Sequence, residues 1–186
     1  MRKIILNLAV SLDGYIEGPK GEVDWCLTDQ DYGMGAFFDN ADAIFMGRKS
    51  YNMIDGMPSP FGDKQIYVFT DSPFMVPNDD IIAIGSRNFL KDVQAIVEQP
   101  GQNIWLFGGA GLLSSFIKHK LIAEFILSVH PVVLGGGKPL FSDVREKLDL
   151  MLMGSETFST GLIQLRYVIK PKFDLSMLDQ QLSSLN

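Results

Sequence analysis

The run Asn103-Ile-Trp-Leu-Phe-Gly-Gly-Ala-Gly-Leu-Leu113 joins an apolar strand pattern to an apolar helix pattern through paired glycines. That order brings backbone N–H groups to a helix N-terminus, where unpaired donors and the macrodipole favour an anionic group. Gly108-Gly109 also lets a ligand or a second backbone approach closely, which side chains would block. A tight connection with no ligand accounts for the same glycines. Ile44-Phe45-Met46-Gly47-Arg48-Lys49-Ser50-Tyr51 runs from an apolar strand through a glycine into a helix. Two cations and a hydroxyl at a helix start make a phosphate receptor, or simply a solvated basic pair opening a surface helix. Thr70-Asp71-Ser72 ends the next strand with short side chains suited to ribose or phosphate oxygens, or to an ordinary turn before Pro73. Gly85-Ser86-Arg87 closes a further one. Ligands of open α/β sheets bind at strand carboxyl ends. Four exits of this composition fit an extended dinucleotide with several phosphates.

Other residue groups carry less chemistry. Ser11-Leu12-Asp13-Gly14-Tyr15-Ile16, followed by Gly18-Pro19 and Trp25, reads as a mobile loop anchored by an aromatic, or as a plain polar connection above a core Trp. His119 lies between two lysines at a helix end, where a solvated or dipole-facing role is expected. His130 precedes Pro131 at a strand end and is open to either a core or a site-facing role. With two histidines and one cysteine, neither a Ser–His–Asp mechanism nor a metal site is expected. The stretch Val133-Leu-Gly-Gly-Gly-Lys-Pro139 departs from P-loop spacing, and Pro139 stops a helix from following Lys138. It reads as a flexible crossing near the substrate mouth or as a subunit contact.

The elements that must position these groups follow from hydrophobic pattern. Strands are predicted near residues 3–10, 42–46, 65–70, 81–85, 103–107, 123–130, 149–158 and 162–169, with helices near 30–39, 48–55, 88–98 and 110–120. Continuous apolar runs such as Ala43-Ile44-Phe45-Met46 are expected of strands covered on both faces, and the alternation implies a mainly parallel sheet. Ser159-Thr160-Gly161 is too short for a crossover, so the last two strands form an antiparallel hairpin. The 186 residues read as one domain over 1–170 with a tail or short helix over 171–186, where Leu175, Leu178, Leu182 and Leu185 are helically spaced. Met1-Arg2-Lys3 and the apolar run after it read as a first strand rather than a leader, because Asp13 and Glu17 follow at once. A net charge of −6 without a basic block argues against nucleic-acid binding, and no apolar run spans a membrane. Cys26 is the single cysteine, in keeping with a reducing cytoplasm.

Taken together, the motifs resemble the dihydrofolate reductase superfamily, specifically its riboflavin-biosynthesis pyrimidine reductase branch. Ser11-Leu-Asp-Gly-Tyr-Ile16 resembles that branch's strand-end motif, and Ile44-Phe-Met-Gly-Arg-Lys-Ser50 the superfamily's Gly-Arg-basic-Thr/Ser phosphate motif. Leu106-Phe-Gly-Gly-Ala-Gly111 resembles the Gly-Gly cofactor turn, and Val132-Val-Leu-Gly-Gly-Gly-Lys-Pro-Leu-Phe141 the riboflavin-type branch, all in consistent order over residues 3–170. The resemblance implies a three-layer α-β-α fold with a mainly parallel eight-stranded sheet and a C-terminal antiparallel hairpin. It implies NADPH as cofactor. Arg48 with Thr70 or Ser72 would hold the 2′-phosphate, within a set that includes Gly47 and Asp71. Lys49 and Ser50 would meet phosphates, and Gly108, Gly109, Ala110, Gly111 and Leu112 would line the pyrophosphate and nicotinamide ribose. Ala9 and Ile16 would border the nicotinamide. The family's Gly-Gly bond is typically cis, which implies a cis bond here.

By the same resemblance Asp31 matches the helix carboxylate of folate reductases in its spacing from Arg48, although Thr28, Asp29, Gln30 and Tyr32 depart from the folate context. Asp29 and Asp31 would equally serve as first-turn carboxylates facing the helix dipole. Ser128 occupies the strand position where family members offer a hydroxyl to the substrate ring. The implied activity is hydride transfer to a pteridine-like or aminopyrimidine substrate, by a cytoplasmic homodimer. Without a fused deaminase and its His/Cys zinc set, the preceding riboflavin step is not expected of this chain. Dihydrofolate reduction is the nearer alternative, and a nucleotide-binding protein without turnover is the alternative from another class.

Overall fold

The computed structural model describes residues 1–54, 60–73 and 80–171; the leucine-spaced stretch Leu175–Leu185 lies outside them. Every strand expected from the apolar pattern forms. They are β1 (Ile4–Ser11), β3 (Ala41–Gly47), β4 (Gln65–Phe69), β5 (Ile81–Ile84), β6 (Asn103–Gly108), β7 (Glu124–His130), β9 (Leu150–Thr157) and β10 (Ile163–Ile169). They join in one sheet of order β5-β4-β3-β6-β1-β7-β10-β9. Neighbours from β5 through β7 run parallel, and β10 and β9 close the sheet as an antiparallel hairpin.

Strand alternation sorts the side chains into two cores. Ala43, Phe45, Ile104 and Leu106 face one side, where α3 (Phe89–Glu98) and α4 (Ala110–Lys118) cover them with Val93, Ile96, Leu113 and Phe116. Ile44, Met46 and Trp105 face the other, beneath α1 (Met34–Asp39) and α2 (Arg48–Ile54), joined by Phe37, Phe38, Tyr51 and Phe61. Helices on both faces of one sheet give the three-layer α-β-α arrangement. No helix among the described residues is long and apolar enough to cross a membrane.

Two local differences from the hydrophobic pattern have backbone causes. The expected helix near 30–39 begins only at Met34, because Tyr32 (φ 52°) and Gly33 (φ 76°) both adopt the left-handed region. Asp29 and Asp31 therefore precede the first turn instead of occupying it. The glycine stretch near 135–139, expected to be a flexible crossing, instead pairs: β8 (Lys138–Pro139) lies antiparallel to β2 (Tyr15–Glu17). Gly137 permits this, since a Cβ there would sit 2.1 Å from the Glu17 carbonyl oxygen. Lys138 Nζ adds an ion pair with Glu17 at 3.5 Å.

Phe116 is the keystone of the α4 side, with no exposed surface. Its ring centroid lies 5.7 Å from Phe45, 5.6 Å from Phe69 and 5.1 Å from Phe89. Truncating a ring so enclosed leaves a cavity that rigid strands cannot close. Phe116→Ala is expected to lower unfolding stability by about 3–5 kcal/mol, measured by urea denaturation.

Candidate functional site

Because β5, β4, β3 and β6 are adjacent and parallel, their four polar exits emerge side by side on one sheet edge. At β3 and β6 the chains themselves touch. A Cβ on Gly109 would stand 3.6 Å from both Gly47 Cα and Ser50 Oγ, in ordinary van der Waals contact with them. A Cβ on Gly108 or Gly111 would instead meet nothing within 4 Å. One side of the turn is thus closed by backbone and the other is open. Gly108 (φ 142°) and Gly109 (φ 101°) make the turn through positive φ angles, and their peptide bond is trans rather than the expected cis, the reversal being absorbed by φ. No side chain caps the N-terminus of α4, which leaves its first-turn N–H groups facing the edge.

The flanking exits add charge and tethers. Arg48 is half-buried, with Nη1 shielded from solvent and its Cζ 5.7 Å from the Tyr51 ring centroid, while Lys49 is exposed. Thr70 Oγ1 accepts the Ser72 N–H at 3.2 Å. The Asp71 carboxylate turns away to the next strand and accepts the Ser86 N–H at 2.7 Å. That backbone bond, with the Ser86 hydroxyl, holds Asp71 below the usual carboxylate range. Asp71 thereby fixes the β4 and β5 exits to each other, removing much of its carboxylate's freedom to face a ligand.

Beside these exits the sheet opens. Pairing of β1 with β6 is confined to Ile4–Leu6 against Ile104–Leu106. Beyond it β1 stays paired to β7 as far as Ser11, and β6 stays paired to β3 through Gly108. Trp105 Nε1 bridges the point of parting by donating to the Asn7 carbonyl at 2.9 Å. A crevice between strands at their carboxyl ends is where open α/β sheets take ligands. Ala9 lies on this part of β1, level with Ser128 on β7 and Gln164 on β10. Ile16 and Leu112 are both partly buried and pack against the cluster on the α3–α4 face. Asp31 stands apart: it is exposed, and its Oδ1 accepts the Gly35 N–H at 2.8 Å.

Several polar residues were not apparent as site candidates from sequence. Asn7 and Gln164 are each 5% exposed, and Tyr32 joins them. Gln164 Nε2 donates to the Tyr32 carbonyl at 3.2 Å, and Asn7 Nδ2 contacts Met34 Sδ at 3.5 Å. For Asn7 and Gln164 the only signal is an amide among the apolar residues of a strand. His130 is buried, its Nδ1 donating to the Ser128 carbonyl at 2.9 Å and its ring edge-on to Trp25 at 5.3 Å. His119 caps the end of α4, as its position between lysines implied. Among the described residues no three of His, Cys, Asp and Glu gather to hold a metal ion.

Asp13 organises the loops above the opening. Its Oδ1 accepts the Ser11 hydroxyl at 2.6 Å and the Leu134 N–H at 3.1 Å, while Oδ2 accepts the Gly135 N–H at 2.8 Å. The Ser11 hydroxyl first, then the Gly135 and Leu134 N–H groups, hold its carboxyl below the ordinary range. The β1 exit and the glycine loop are thereby fastened together beside β2 and β8.

This sheet order, with an opening between β1 and β6, defines a dihydrofolate reductase-like α/β protein. The fold matches dihydrofolate reductase from Enterococcus faecalis complexed with NADP(H) at a TM-score of 0.66 over 91% of this chain and 97% of that one, with 13% identity. The RibD C-terminal domain model matches residues 68–164, more than half of the chain, and the chain belongs to that family. A similar solved structure is a putative riboflavin biosynthesis protein from Shewanella sp. PV-4, with TM-score 0.77 and 28% identity, covering 92% of this chain and 100% of that one. The uncharacterized protein YyaP of Bacillus subtilis strain 168 is 42% identical over 179 residues, 89% of this chain and 94% of its own length.

Because Asp13 is held in its ionised form, the loop clamp is present above the ordinary Asp range and lost as pH falls through the lowered folded value. Asp13→Asn is expected to lower Tm modestly at pH 7, with the gap from wild type closing below about pH 4, followed by thermal melts across pH.

Proposed function

We propose that this protein is an NADPH-dependent reductase acting on an aminopyrimidine or pteridine-like substrate, in the manner of the riboflavin-pathway reductase that converts a phosphoribosylamino group to a phosphoribitylamino group. The observation that carries this reading is the joining of two features: four phosphate-suited exits on one edge, and a parting of β1 from β6 beside them. The residues present fit the cofactor, because the Gly108–Gly111 turn is open on one side and backed by Gly47 on the other. Arg48 and Thr70 or Ser72 would hold the 2′-phosphate, Lys49 and Ser50 further phosphate oxygens, and the α4 N-terminus with Gly108–Leu112 the pyrophosphate and nicotinamide ribose. When bound, NADPH supplies a hydride to the electrophilic carbon of a C=N or C=O group.

The chain's own part is to orient the ring and keep the reacting carbon at the opening. Ala9 and Ser128 lie level there, so Ser128 is the residue we place against the substrate. Asp31, exposed and bonded to Gly35, is the weaker candidate for the proton donor. Among the described residues no Asp or Glu is buried, which favours the pyrimidine reading over dihydrofolate. In this reading the protein works in the cytoplasm. It also works as a homodimer: Met151, Leu152, Met153 and Ile163 on the β9–β10 margin are 39–59% exposed, an apolar surface suited to a second copy.

NADPH absorbance followed with the phosphoribosylaminopyrimidine, and separately with dihydrofolate, tests the activity. Oxidation with the first alone supports the proposal, and oxidation with dihydrofolate alone would replace it by folate reduction. Arg48→Ala is expected to weaken NADPH binding roughly tenfold to a hundredfold, the loss of a charged hydrogen bond, while leaving NADH binding little changed by fluorescence titration. Unaltered NADPH affinity would sink the 2′-phosphate assignment. Light scattering is expected to give a mass near twice 20.7 kDa.

A further inference from the structure

The amides beside the opening fix where hydrogen-bonding protons point, which bears on the substrate ring if the opening holds one as proposed above. Gln164 Nε2 lies 3.2 Å from the Tyr32 carbonyl oxygen, an atom that can only accept. The carboxamide is therefore oriented with its NH2 group towards Tyr32, and Oε1 cannot take that place. The same Nε2 lies 3.4 Å from Ser128 Oγ, so its second proton is directed to the serine oxygen. A hydroxyl that accepts from a neighbour keeps its own proton to donate elsewhere.

The reference point for this arrangement is rigid. The Tyr32 hydroxyl sits 2.6 Å from Asp29 Oδ1 and 3.0 Å from Thr160 Oγ1, and its ring packs edge-on to Phe158 at 4.9 Å. Its backbone is held at φ 52°. The carbonyl that orients Gln164 is thus tied both to the segment entering α1 and to the turn between β9 and β10. Gln164, Ser128 and Ala9 form one row across β10, β7 and β1, which ends where β1 has left β6.

We propose that Gln164 is a positioning residue that occupies one of the two lone pairs of Ser128 and leaves its proton free, so that the site favours a heterocycle presenting a carbonyl oxygen over one presenting an amino group to that hydroxyl. Replacing Gln164 by Glu removes both donated protons. The carboxylate would then accept from Ser128, turning the serine lone pairs towards the ring. Gln164→Leu removes the orienting protons without adding charge and leaves the hydroxyl free to rotate.

The test is calorimetric titration of the NADPH-saturated full chain with two probes, 5,6-diaminouracil and its counterpart carrying an amino group in place of the 4-carbonyl. Wild type is expected to favour the uracil by at least about tenfold. The preference should shrink to about twofold or less in Gln164→Leu and reverse in Gln164→Glu, with NADPH Kd changed by no more than about twofold. A merely structural role for Gln164 would weaken both probes alike. Unchanged preference in either folded variant, or a wild-type chain that binds NADPH but takes the two probes equally or takes neither, would overturn the assignment while leaving the cofactor reading in place. Failure of wild type to bind NADPH would instead remove that reading, and this assignment with it.

Discussion

The bond from Trp105 Nε1 to the Asn7 carbonyl spans the place where β1 and β6 cease to pair. A buried carbonyl that loses its ladder partner leaves an acceptor unmet, at a cost of roughly 1–3 kcal/mol. The indole N–H meets it from the side, so the strands separate without an orphaned group at the fork. The rest of the indole is held among Phe37, Phe38, Phe61 and Phe107, which fixes the angle at which the bond is made. Helix α1, the α2 side of the core and the opening in the sheet are consequently parts of one packing arrangement. The exits of β3 and β6 meet glycine to glycine on one side of that fork, and the row Ala9–Ser128–Gln164 lies on the other.

The sheet was legible because buried strands leave a plain mark. Runs such as Ile104-Trp-Leu-Phe107 are too apolar and too short for surface elements, and the glycines that end them are visible without a structure. The gathering of those exits also followed from composition, since parallel strands must all leave at one edge. Other features depend on contacts distant in sequence. Asp13 reads as a turn residue until Leu134 and Gly135 are brought to it, and β8 has too few residues to announce itself. The late start of α1 has a local cause in Tyr32 and Gly33, but a left-handed tyrosine is rare and carries no sequence mark. Gln164 carries no sequence mark, because one amide in a C-terminal strand looks like an outward-facing residue and only the register turns it inward.

Charge is handled locally. The chain as a whole is acidic, with a net charge of −6, yet Arg48 and Lys49 stand together at the edge where phosphate would lie. Asp71, two residues past the end of β4, has its Oδ1 held by the Ser86 N–H. The carboxylate thereby serves as a fastening between the exits of two strands. The same economy appears at Asp13, whose acceptors are occupied by backbone N–H groups and a neighbouring hydroxyl.

The strand order has a consequence for how the chain reaches this state. The first strand made, β1, has as neighbours β6 and β7, whose partner residues begin at Ile104 and Glu124. During synthesis it has no sheet partner until most of the chain has emerged, whereas β3, β4 and β5 can join to one another earlier. Strand β1 can be placed only by β6 or β7, both of them distant from it in sequence. Such pairings close long loops, the kind of non-local contact that slows folding, and until they form the apolar strand Ile4–Ser11 has no sheet to join.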